Sequence, residues 1–279
     1  MIRTENQTVQ TVCETGVKKA QRPAKKMLIL AILAGVYIGF GAQLATTLTL
    51  DAAQYIGLGL SNVLAGVVFS VGLILVLIAG AELFTGNNLL CVSYLCNRIT
   101  GNELLKNWTI VYIGNFIGSI LLAWIVFKTG LYATGGNALG LKAIELANNK
   151  VNLSFSQAFF RGLACNWLVC LALWMASKAE NNTGKILSVI FPITAFVASG
   201  FEHSIANMYF IPMGIFLKGV GGLAYNNVGG LVNLTWGGFI AKNLIPVTLG
   251  NIVGGAFFVA ILYCYIYTAQ ENEINPFFN

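Results

Sequence analysis

Gly80-Ala-Glu82-Leu-Phe-Thr-Gly-Asn87 and Gly200-Phe-Glu202-His-Ser-Ile-Ala-Asn207 decide the fold of this chain. Each octet puts a glycine, a carboxylate and an asparagine at the same three places, at a constant offset of 120 residues. Each also interrupts an apolar run of bilayer length, at about 60–83 and 185–199, and is followed by a short apolar stretch, 89–96 and 205–217. Polar, non-helical backbone at membrane depth is tolerated only where it lines a cavity or is buried in protein. The two octets therefore read as paired helix breaks, in the second and fifth spans of a membrane protein.

Working outward, apolar runs at about 27–48, 108–127, 156–177 and 246–268 complete a set of six, each near the ~20 residues a helix needs to cross the hydrocarbon core. The chain has 279 residues, of which 57% are hydrophobic and 9% charged. A soluble domain carries about 25% charged residues, so an ordinary soluble protein is excluded. The net charge of +6 would suggest nucleic acid, but Arg3, Lys18, Lys19, Arg22, Lys25 and Lys26 all precede residue 27. Together with Arg98, Lys106, Lys178 and Lys185 they outweigh Lys128, Lys142, Lys150, Arg161, Lys218 and Lys242 on the other side. Both termini are thus expected in the cytoplasm, and no nucleic-acid partner is expected. Residues 1–26 lack the apolar core of a secretory leader, so none is expected. The organisation is a cytoplasmic amphipathic segment over 1–26, a transport domain over 27–268 and a cytoplasmic tail over 269–279.

Two further pairs recur in order. Gly114-Asn115-x-x-Gly118 returns as Gly250-Asn251-x-x-Gly254, and Gly35 followed by Leu44-Ala45 returns as Gly162 followed by Leu171-Ala172. The halves are about 27–127 and 156–268. Three crossings each force the second half to enter from the opposite face, which makes an inverted repeat, and paired broken helices in such halves point to a transport site near the midplane. The Gly-rich connections 128–155 and 217–245 read either as an outer vestibule or as ordered caps; the first has a helix-like stretch near 137–149, and the second holds Gly221-Gly222, Gly229-Gly230 and Gly237-Gly238. Upstream, Val9, Val12, Cys13, Gly16, Val17 and Ala20 follow helical spacing, and an interfacial amphipathic helix is expected, as an anchor rather than a gate.

His203 is the sole histidine. It is either a neutral core residue or a proton-exchanging one, and an ionisable group at membrane depth favours the second. Glu82 and Glu202 read as structural acceptors for N–H groups freed at the breaks or for Asn115 and Asn251, with Glu202 placed to tune His203. Thr85 is a candidate donor facing His203. Phe69, Leu73, Leu83, Phe84 and Phe196 read as bundle packing one by one, and together as hydrophobic constrictions that slow a bare anion. Lys150, at a pore mouth, would concentrate anions.

The chain lacks G-x-x-x-x-G-K-[ST], H-E-x-x-H and G-x-S-x-G, so ATP-driven pumping and the common hydrolase chemistries lose support and no enzyme is expected. The six cysteines form no C-x-x-C, and four of them, in or beside apolar runs, read as small buried hydrophobes; no disulfide, metal or cofactor is expected.

Ala81–Asn87, Cys165–Met175, Phe196–Asn207 and Asn243–Asn251 closely resemble the formate/nitrite transporter family. The resemblance runs from about residue 20 to 268. It implies an all-α, aquaporin-like protomer in a homopentamer, with one pore per subunit, in a prokaryotic inner membrane. The family's central histidine and its glutamate match His203 and Glu202, its loop threonine Thr85, its vestibule lysine Lys150 and its buried asparagine Asn166; its constrictions match Phe69, Leu73, Leu83, Phe84 and Phe196. The expected function is passage of a small weak-acid anion, formate before nitrite or hydrosulfide. Lys150 would attract the anion, and Thr85 with protonated His203 would bind it and lend a proton, so that transport accelerates at lower pH. An aquaporin-type neutral-solute channel is the nearest alternative, without an Asn-Pro-Ala motif to support it; an intramembrane enzyme and a transport-free scaffold stand further off.

Overall fold

The computed structural model describes residues 3–221, 223 and 230–269. The Gly221-Gly222 and Gly229-Gly230 pairs lie partly, and the tail almost wholly, outside the described residues. Among these the protein is helical and has no strand. A capping box, with Thr4 accepting from the Gln7 N–H and the Gln7 side chain accepting from Thr4, starts α1 (Glu5–Ala20). There follow α2 (Ala24–Leu48), α3 (Ala52–Ala79), the short α4 (Leu90–Leu95), α5 (Gly101–Lys128), α6 (Ala138–Val151), α7 (Phe155–Lys178), α8 (Asn182–Ala198), α9 (Ser204–Lys218) and α10 (Trp236–Tyr267). Five of them, α2, α3, α5, α7 and α10, are long and apolar enough to cross a bilayer; α8 is apolar but has only 17 residues.

Two boundaries and one packed face stand out against the sequence reading. The second run ends earlier, because Gly80 adopts φ 83° and caps α3 after Ala79, as Gly200 at φ 70° does after α8. The last run begins about ten residues earlier, at Trp236, because the Thr235 side chain accepts from the Gly238 N–H and turns Gly237-Gly238 into a first helical turn. The stripe of α1 does not lie on lipid. Thr8, Val9, Val12, Cys13, Gly16 and Ala20 are buried, and α1 packs on α4 with further contacts to α5, α7 and α10.

Packing repeats between the halves: α2 lies on α3 and α5, as α7 lies on α8 and α10, and α3 meets α8 in the middle. Side chains at Gly118 and Gly254 would meet the carbonyls of Ile32 and Leu163. Those glycines let the helix backbones touch. The pair Gly35 and Gly162, however, is out of register by one turn. Asn115 Nδ2 donates to Ala31 O and Asn251 Nδ2 to Gly162 O, so Gly162 corresponds to Ala31.

Candidate functional site

Both breaks are held by the same hydrogen bonds. Where α3 stops, the Glu82 N–H donates to Leu30 O (3.2 Å), and where α8 stops, the Glu202 N–H donates to Arg161 O (3.2 Å). Asn115 Oδ1 accepts from the Phe84 N–H (2.9 Å), while its Nδ2 donates to Ala31 O (2.7 Å) and Glu82 O (2.9 Å). Asn251 does the same with the Ser204 N–H (2.9 Å), Gly162 O (2.7 Å) and Glu202 O (3.0 Å). Buried backbone groups without partners are costly, and one amide side chain settles three of them in each half.

The carboxylates are held alike. Asn87 Nδ2 donates to Glu82 Oε2 (2.7 Å) and Asn107 Oδ1 (2.9 Å); Asn207 Nδ2 donates to Glu202 Oε2 (2.6 Å) and Asn243 Oδ1 (2.8 Å). Asn107 Nδ2 then donates to Lys19 O (3.3 Å), and Asn243 Nδ2 to Lys150 O (2.9 Å). The sequence reading offered freed backbone N–H groups, or Asn115 and Asn251, as donors to the carboxylates; Asn115 and Asn251 serve backbone, and Asn87 and Asn207 donate to the carboxylates. Cations complete both arrays. Lys150 Nζ lies 2.9 Å from Glu202 Oε1, and Lys19 Nζ lies 3.4 Å from Glu82 Oε2 with Arg22 on Oε1. Lys19 and Arg22 were missed because a basic flank before the first span reads as an orientation signal. Lys19 and Lys150 stand 131 residues apart, as Ala31 and Gly162 do, which was the available clue.

A cavity of about 560 Å³ opens beside the second break. Lys142, Lys150 and Arg161 line it with one carboxylate, Glu202, and so does His203, 3% exposed. Phe196 stacks on the His203 ring (centroids 6.0 Å) and meets Phe69 edge-on (5.7 Å), so two aromatic rings flank the approach to the histidine. Lys150 sits in the last turn of α6, with its ammonium 5.2 Å from the Phe210 ring centroid.

His203 caps α9. Its Nδ1 accepts the Ala206 N–H (3.1 Å), and its Nε2 lies 3.0 Å from Thr85 Oγ1, across from the other break. With Nδ1 taken as an acceptor, the ring carries its proton on Nε2 and donates to the threonine. The threonine hydroxyl hydrogen is then left to give to a further acceptor. Thr85 is held from behind, since Asn166 Nδ2 donates to Thr85 O (3.2 Å) and Asn251 O (2.7 Å), and Cys170 Sγ donates to Thr85 O (3.4 Å). Asn166 thus braces the loop and does not line the cavity. Leu73 and Leu83 are buried, and Phe84 packs edge-on against Trp108 (5.9 Å) and Tyr112 (4.8 Å).

The sequence model of the formate/nitrite transporter family matches residues 6–265. A probable formate transporter of Methanothermobacter thermautotrophicus is 43% identical over 268 residues, covering 90% of this chain and 92% of its own. The formate channel FocA of Escherichia coli K12 is 39% identical over 265 residues, covering 93% and 92%. Among solved structures, a pentameric formate channel with formate bound superposes with a TM-score of 0.78 at 42% identity, over 88% of this chain and 98% of that one. An FNT family ion channel does so with the same score at 30% identity, over 93% and 98%. A helical bundle with two braced breaks, matched along nearly its whole length in these ways, places the chain in the formate/nitrite transporter family.

Proposed function

We propose that the protein is a multi-pass channel for a small weak-acid anion, formate before nitrite or hydrosulfide, working as a homopentamer in a prokaryotic inner membrane. One observation carries the reading: Thr85 and His203, contributed by opposite breaks, meet 3.0 Å apart, and His203 lines a cavity shared with Lys142, Lys150 and Arg161. The relatives named for formate, and the pentameric neighbour with formate bound, support the substrate and the assembly.

In this reading α2, α3, α5, α7, α8 and α10 are six crossings, and the matched bonds belong to an aquaporin-like inverted repeat of halves 27–127 and 156–268. Residues 1–26 and 269–279 are cytoplasmic. Phe69 and Phe196 form one constriction; Leu73, Leu83 and Phe84 form the other. Lys142, Lys150 and Arg161 raise the local anion concentration. An arriving carboxylate takes hydrogen bonds from the Thr85 hydroxyl and from His203 Nε2–H, with Glu202 and Asn166 keeping both groups in place. Carrying a bare charge through an apolar slit is costly, and a neutral acid crosses far more cheaply. To lend a proton, His203 first takes one on Nδ1 and gives up the Ala206 cap; Nε2–H then passes to the anion and leaves a neutral ring. The resting site therefore holds a neutral histidine, in place of the protonated one expected from the sequence. Flux rises as pH falls, because the proton travels with the anion.

The test is flux into liposomes holding the purified protein, with formate, nitrite, hydrosulfide and glycerol offered in turn. Saturable anion flux, largest for formate, is expected. Glycerol flux without any anion response would return the protein to the neutral-solute alternative.

A further inference from the structure

Cys13, Cys96 and Cys264 come from three separate elements and meet at one junction. Cys13 lies on α1, Cys96 closes α4 just after the first break, and Cys264 lies near the end of α10. All three belong to one buried cluster, in which Cys96 interacts with both Cys13 and Cys264. The chain holds them as thiols, at 4%, 9% and 4% exposure. Beside them Ser93 Oγ donates to Cys13 O (2.8 Å). The same helix carries Lys19 to Asn87 Oδ1 (2.7 Å), and Arg22, just beyond its end, reaches Glu82. The thiol contact thus joins the segment that grips the first break to the short helix leaving it.

We propose that Cys13 and Cys96 form a reversible disulfide that clamps α1 over the first break and shuts the path. Several features support this beyond proximity. A terminal helix tied mainly through side chains is among the elements that open locally at least cost. Lifting α1 is what would uncover the thiols, so reseating it brings the pair together. The neighbouring Cys96 thiol and the Arg98 guanidinium, against the opposing effect of burial, lower the Cys13 thiol below its ordinary value. A lowered thiol favours the thiolate, the form that attacks. The oxidant class is a small disulfide. The Cys13 thiolate attacks one of its sulfurs and expels a thiolate; Cys96, deprotonated, then attacks the mixed disulfide and expels the second. Two protein thiols and one small disulfide become one protein disulfide and two small thiols.

The flux part of the test rests on the proposed function, and the mapping part does not. Full-length protein in liposomes is treated with diamide, which takes two electrons and two protons from the thiol pair and becomes a hydrazine. Remaining thiols are alkylated, the protein is digested without reductant, and linked peptides are identified by mass spectrometry. A Cys13–Cys96 link is expected, together with formate flux that falls to the level of empty liposomes and returns with dithiothreitol. Cys13→Ser should carry formate regardless of diamide, and Cys264→Ser, which keeps both partners, should still be inhibited. A map that finds only Cys96–Cys264 or no link, or a Cys13–Cys96 link that leaves flux unchanged, overturns the proposal. Should the reduced protein carry no formate at all, the functional reading fails, and the peptide map still decides whether the disulfide forms.

Discussion

The two breaks are built on one scaffold and given different chemistry. Residues 80–87 and 200–207 share the left-handed glycine, the carboxylate, the asparagine bonded to it and the bracing amide from α5 or α10. Between those fixed points the side chains part company: Leu83, Phe84 and Thr85 stand where the second break has His203, Ser204 and Ile205. His203 supplies a side-chain cap to the Ala206 N–H, and α9 runs for 15 residues. The first break has no such cap, resumes as a 3₁₀ turn over Gly86–Leu89, and its α4 has only 6 residues. Each break brings one polar group, and only the two together make the Thr85–His203 pair. A duplicated frame fixes where the backbone stops being helical, and a few unduplicated residues decide what that place can bind.

Removing a carboxylate tests the frame most severely. Glu82 is fully buried with two cations on it, and Glu82→Ala strands them; the expected loss is about 3–5 kcal/mol, the cost of breaking a buried pair. Glu202→Ala strands one cation that lines a cavity and should cost less, by thermal unfolding in detergent. Equal losses would mean that the second cation contributes nothing. Next come Asn115→Ala and Asn251→Ala, each deleting three hydrogen bonds, at about 2–4 kcal/mol. The two values should agree within experimental error, and a large difference would break the equivalence of the breaks.

Lys150→Ala should lower formate uptake severalfold at low anion concentration and low salt, with little change at saturation. The smallest effect concerns α1, which serves only the first break. The hydrogen bond from Lys178 holds the Glu5 carboxyl below its ordinary 4.5. A lowered carboxyl adds stability above the unfolded value and loses it as pH falls through the folded one. Hydrogen exchange in α1 should therefore rise slightly below about pH 4.5, and Glu5→Gln should remove that step.

The breaks were legible in the sequence because their fixed points are chemically scarce: a carboxylate and an asparagine inside apolar runs stand out. The Gly-Asn-x-x-Gly pairs were legible for the same reason. The register of α2 against α7 was not, since Ala31 occupies the position of Gly162 and a small residue of either kind lets a helix approach. The stripe on α1 gave the helix and hid its partner, because an apolar face looks the same whether lipid or protein covers it. Thr85 and His203 were picked out as candidates, but that Nδ1 is occupied by a helix N–H is a fact of three dimensions.

The central claim is that a site shared by the two breaks handles the anion and its proton. The direct test is formate flux in liposomes across a pH series for the unmodified protein and for His203→Ala, whose lost cap should cost only about 1 kcal/mol of stability. Flux that climbs as pH falls in the first, and loses that dependence in the second, is the predicted result. A His203→Ala variant with the same flux at every pH would contradict the account.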